Sequence, residues 1–127
     1  MEEILEYIKT EMESIGVPYE FLEWTQPVSY PYFVGEYGEA EPITESGEFH
    51  KTFTLTGFCR GRNARLKLEQ IRTKMEQNFD PINGKIAMLT SGSVIAIFYL
   101  NAFPIPSGEA ELYKIVINLD IKKWKVN

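Results

Sequence analysis

At 127 residues, 44% hydrophobic, 24% charged and with a formal charge of −5, the chain is long enough to bury about two thirds of its unfolded surface and so to hold a core without metals or disulfides. Cys59 stands alone, which excludes an internal disulfide and fits a reducing compartment better than secretion. The start, MEEILEYIKTEMESIG, is acidic where a signal peptide is basic and then apolar, and the dense apolar run from Val94 to Leu100 falls far short of the roughly 20 residues that cross a bilayer, so a soluble protein without a membrane partner is expected.

In chain order, Ile4, Ile8, Met12 and Ile15, joined by Leu5, repeat at helical spacing. Glu2 and Glu3 suit the positive start of that helix, and Gly16 followed by Pro18 stops it. The stretch from Tyr30 to Glu36 reads as a strand whose Pro31 cannot donate to a ladder, which favours an edge or the beginning of a strand. From Glu36 to Glu48 five glutamates, glycines and a proline read as a long mobile loop. Residues 49–58, FHKTFTLTGF, alternate: Phe49, Phe53 and Leu55 share a side with Lys51, and Thr52, Thr54 and Thr56 face the other way. Asn63 is a candidate cap for a second helix with the stripe Ala64, Leu68, Ile71, Met75 and Phe79, ended by Asp80-Pro81.

Asn83-Gly84 then turns the chain into three strands, about Lys85 to Thr90, Ser93 to Ala102 and Glu111 to Trp124. The middle one is apolar on both sides, with Val94, Ala96, Phe98 and Leu100 on one and Ile95, Ile97 and Tyr99 on the other, as a central strand covered by helices or a partner would be. Ser91-Gly92 makes a tight turn, and Phe103 to Gly108 reads as a wider connection with apolar residues at its tip. The order predicts one domain over residues 1–127 with an α+β fold, a mixed, mostly antiparallel sheet carrying two helices on one face and a long mobile loop.

Catalytic, cofactor and metal motifs are missing from the sequence. His50 is the one histidine, no nucleophile elbow or P-loop pattern occurs, and the loop glutamates lack calcium-cage spacing. No catalytic residue, cofactor or metal is therefore expected. Charge is uneven: residues 1–48 hold twelve Glu against one Lys, a balance of −11, and residues 49–127 balance to +6. If folding keeps these halves on different faces, copies could meet acidic face to basic face; if it interleaves them, little net field survives. Arg60, Arg62, Arg65 and Lys67 crowd the expected start of the second helix, against its dipole. They are either a solvated helix end or a patch that meets an acidic surface, with nucleic acid disfavoured as a main partner by the pI near 5.0. A small-ligand pocket lined by Trp24, Tyr99 and Trp124 is a further possibility, which would make the chain a small ligand-binding or docking module.

The run Tyr30-Pro31-Tyr32-Phe33-Val34-Gly35-Glu36, placed between an amino-terminal helix and a long loop that is followed by a strand, a helix and a β meander, resembles the small tail-terminator and minor-capsid proteins of tailed bacteriophages and prophages. The resemblance implies a non-enzymatic virion protein at the head-tail junction, found in the host bacterial cytoplasm during assembly. It implies self-association into a ring, a hexamer in that family, with tail-tube or head-completion proteins as further partners. The expected interface comprises the aromatics Tyr30, Tyr32, Phe33 and Tyr37, the acidic residues Glu39, Glu41 and Glu45, and the cations Arg60, Arg62 and Arg65. Aromatic residues suit such a surface because they bury much area while losing few rotamers.

Overall fold

The computed structural model describes residues 2–39 and 49–124. Two helices, α1 (Glu2–Ser14) and α2 (Ala64–Asn78), pack on one face of a six-stranded sheet built from β1 (Tyr19–Phe21), β2 (Tyr32–Glu39), β3 (Phe49–Arg60), β4 (Lys85–Met88), β5 (Val94–Ile105) and β6 (Leu112–Trp124). The sheet runs in the order β1-β2-β3-β6-β5-β4 and curls into a half-barrel. Every pairing is antiparallel except β1 with β2, so the fold is α+β with a mixed, mostly antiparallel sheet, as expected.

Alternation along the strands decides which face the helices cover. Phe53, Leu55 and Cys59 of β3, Ile115, Ile117, Leu119 and Ile121 of β6, and Ile95, Ile97 and Tyr99 of β5 are buried together with Ile4, Ile8 and Met12 of α1 and Leu68, Ile71 and Met75 of α2. These residues leave water on one side of the sheet, and the hydrophobic gain of that burial is what holds the helices there. Gly16, at φ +75°, ends α1 in the left-handed region open to glycine. Asn63 occupies the cap position of α2, but its side chain makes no capping hydrogen bond; its carbonyl accepts from the Lys67 N–H at 3.0 Å.

The larger departures from the sequence reading are three, besides small shifts such as β3 running on to Arg60 and β4 stopping at Met88. β1 is an added strand, too short to show alternation, which pairs in parallel with β2 through Tyr19↔Phe33 and Phe21↔Gly35. The strand after Pro31, whose bond to Tyr30 is cis, runs on through Glu39, so Glu36 to Glu39 are strand rather than loop; residues 40–48, the rest of the predicted loop, lie outside the described residues. β5 continues to Ile105 because a bulge between Tyr99 and Asn101 restores its pairing with β6. Phe103 and Ile105 are thus strand residues, and the connection narrows to residues 106–111.

Two aromatics lie over glycines across the β2–β3 pair. A Cβ on Gly57 would meet the Phe33 ring at 2.2 Å, and one on Gly35 would meet the Phe53 ring at 2.6 Å. Phe33 is fully buried, so its ring has no room to withdraw. Gly57→Ala is accordingly expected to destabilise the fold by about 1–3 kcal/mol, read as the midpoint of urea unfolding, with Phe33→Leu in the same chain recovering part of the loss.

Candidate interaction site

The face of the sheet without helices carries the remaining side chains of every strand, and they fall into three zones. At the β4–β5 end, Ile86 and Met88 are 65% and 72% exposed, and Leu100 and Phe103 are 50% and 48% exposed. The register makes one apolar field of Ile86 and Met88, which lie opposite Ala96 and Val94, with Trp124 opposite Val94, and it sets Phe103 opposite Val116 on the same face but beyond the Asn101–Asn118 pair. The bulge is what brings Phe103 there, since it shifts the alternation of β5 by one residue after Tyr99. Lys122, with its ammonium 5.4 Å from the centre of the Phe98 ring, is the cation beside this apolar field.

The middle zone is polar. Thr54 donates to Asn118 Oδ1 at 2.8 Å, and Asn118 Nδ2 donates to Asn101 Oδ1 at 2.9 Å, a chain of hydrogen bonds across three neighbouring strands. At the β2 end an aromatic ladder runs Trp24, Tyr32, Phe58, with ring centres 4.9 Å apart at both steps, and Tyr30 lies 5.7 Å from Tyr32. Cations cap it, Lys114 at 5.4 Å over Phe58 and the Arg60 guanidinium at 5.9 Å over Tyr30. The field around Ile86 and Met88 is thus separated from the aromatic ladder by the row Thr54, Asn118 and Asn101, with Phe103 and Val116 on the ladder side of that row.

The residues predicted to form an interface are only partly together. Tyr32 projects from the helix-free face, and Tyr30, whose ring lies beside it, also packs against the core. Tyr37 is exposed on the opposite face, stacked on Phe21 at 5.9 Å with Lys51 at 5.1 Å from its ring. Phe33 is closed to a neighbour, because its side chain fills the core over Gly57. The backbone of Glu39 ends β2 opposite Lys51; Glu41 and Glu45 lie outside the described residues. The cations separate as well. Arg60 ends β3 rather than starting α2 and bonds Glu109 at 2.8 Å, Arg62 is exposed in the turn between them, and Arg65 of α2 lies 5.3 Å over Tyr113.

Among the described residues, the acidic and basic halves of the sequence touch. Glu11 accepts from Asn78 at 3.1 Å and pairs with Lys85 at 3.5 Å, and Glu3 accepts from Thr90 at 2.9 Å. Trp24, Tyr99 and Trp124 do not converge on one pocket: Tyr99 is buried on the helix side, where its hydroxyl accepts from Arg72 at 3.3 Å, Trp124 lies on the helix-free side opposite Val94, and Trp24 stacks on Tyr32. A cleft of about 540 Å³ does open between the first turns of α2 and the β5–β6 connection, lined by Leu68, Pro104, Pro106, Leu112 and Tyr113 with Arg65 at its edge. Among the described residues no group of three or more His, Cys, Asp or Glu is placed to hold a metal ion, and no helix is long and apolar enough to cross a membrane.

Two tyrosines report on packing. Burial pushes the Tyr19 hydroxyl up to about 12, and burial with the nearby Glu11 carboxylate does the same for Tyr7. Both favour the neutral form in the folded chain, so the stability they contribute is complete below the ordinary tyrosine value of 10 and is lost as pH rises toward 12. The melting temperature is expected to fall over that interval and to fall less for Tyr19→Phe. At neutral pH that variant should melt close to the parent, since the Tyr19 hydroxyl has no hydrogen-bond partner among the described residues.

No family model and no curated protein matches the sequence. A solved structure whose name states no function is similar over 99% of this chain and 91% of its own, with a TM-score of 0.67 at 13% identity. At that identity the likeness shows the fold alone.

Proposed function

We propose that the chain is a non-enzymatic structural subunit of a tailed-phage or prophage particle, of the tail-terminator or minor-capsid kind, which associates with copies of itself into a ring at the head-tail junction. The observation that carries this reading is the exposed apolar pair Ile86 and Met88, set beside Val94 and Trp124 on the helix-free face. Monomeric soluble proteins leave few contiguous apolar fields of this kind open to water, and those they leave usually mark an interaction surface. The element order and the Tyr30 to Glu36 run support the same reading by resemblance. Light scattering behind size exclusion tests it: species of several copies are expected to grow in as concentration rises, and a strict monomer at every concentration and salt would contradict it. The cleft beside α2 favours a second reading, a small-ligand binding module, which a bound metabolite released on denaturing the purified protein would support.

A further inference from the structure

On the helix side, a groove of about 570 Å³ runs along α2 beside the turn that follows α1. Its floor is Ile71, Pro18 and Pro31, and Lys67 and Lys74 stand on its rim with Gln70 and Thr73. The carboxylates of the same helix are directed elsewhere, since Arg72 pairs with both Glu69 and Glu76. The two exposed lysines are seven residues apart, two turns of helix, or about 10.5 Å along its axis. The outer side of α1 carries the opposite pattern. Glu2, Glu6, Lys9 and Glu13 are exposed there, a net charge of −2 to set against the +2 of the two lysines, and Glu6 and Glu13 are again seven residues apart.

We propose that the Lys67–Lys74 groove is the docking site for the outer face of α1 of a second copy, with Glu6 and Glu13 of one copy meeting the two lysines of the next. This rests on the reading that the chain self-associates, and it adds the direction of that contact. Donor helix and acceptor groove are different surfaces, so copies join head to tail, the arrangement that generates rings. The partner is another copy of this chain because the chain itself presents both the spacing and the sign that the groove requires. Contact between the two sequence halves does not remove this complementarity, since Glu6 and Glu13 and the two lysines all remain on the surface.

Charge reversal in two pieces tests the contact. Lys67→Glu with Lys74→Glu makes one variant, Glu6→Lys with Glu13→Lys the other, and both place their changes at exposed positions that the core does not use. Each alone is expected to weaken self-association by roughly tenfold or more at low salt, with the difference shrinking as salt screens the charges. An equimolar mixture is expected to recover assembly in alternating copies, because each reversed helix then meets a groove of opposite sign. Light scattering reads all three samples, and circular dichroism confirms that each variant is folded. A wild type that assembles while both variants do so equally well, or a mixture that stays as dissociated as its folded components, would overturn this contact and leave the ring reading in place. A wild type that never assembles would remove both.

Discussion

Phe53→Ala is expected to destabilise the protein by about 3–5 kcal/mol and to lower its melting temperature by roughly 10–20 °C. The side chain is fully buried in β3. It lies against Phe21 and Tyr19 with ring centres 6.3 Å apart in both pairs, and it closes over Gly35. Removing the ring leaves a cavity that neither neighbour can fill. Gly35 contributes no side chain, and Tyr19 and Phe21 sit in a three-residue strand fixed by its parallel pairing with β2. β1 should therefore loosen first, and hydrogen exchange at Leu22, whose N–H bonds the Gly35 carbonyl at 2.8 Å, should accelerate by more than exchange in α2. Phe53→Leu, which keeps an apolar filler in place, is expected to lose about half as much.

The second large effect concerns assembly rather than folding. Ile86→Ser with Met88→Ser alters two highly exposed apolar side chains of the helix-free face, and full burial of such a side chain against a partner contributes about 1.5–3 kcal/mol. The pair is expected to weaken self-association by roughly a hundredfold, seen in light scattering as a shift of the assembly range to higher concentration. Because both side chains already face water, the melting temperature of the dilute monomer should change little. That split between assembly and stability separates an interface from a core: a variant that melts early while assembling normally would place Ile86 and Met88 in the core instead.

Much of the fold is legible in the chain because its long elements repeat cleanly. Ile4, Ile8 and Met12 at helical spacing, and Ile115, Ile117, Leu119 and Ile121 at spacing two, are buried as that periodicity demands. What escapes periodicity is set by long-range pairing. Tyr19 to Phe21 is too short to alternate and becomes a strand only because β2 passes beside it. Phe103 reads as a loop residue until a bulge, invisible in the sequence, carries β5 past it. The same bulge puts Phe103 on the face of Val94, Ala96 and Phe98, which counting by twos does not do, with Asn101 standing between them. Phe33 shows the opposite case. It sits in an aromatic run that reads as a surface, but its place opposite Gly57 leaves a space that only its own ring fills.

The arginines repeat the lesson for charge. Proximity in sequence groups Arg60, Arg62 and Arg65, but the end of β3 and the first turn of α2 direct them apart, Arg60 to Glu109 and Arg65 to Tyr113. Lys67 and Lys74, seven residues apart, share one groove instead.

Whether copies of this chain close into a ring is decided by native mass spectrometry of the purified protein at rising concentration. One dominant multiple of the subunit mass is expected, six if the resemblance to tail terminators holds in number, giving way to monomer as ionic strength rises. A spectrum of monomer alone, or an open-ended ladder of masses with no preferred multiple, would contradict it.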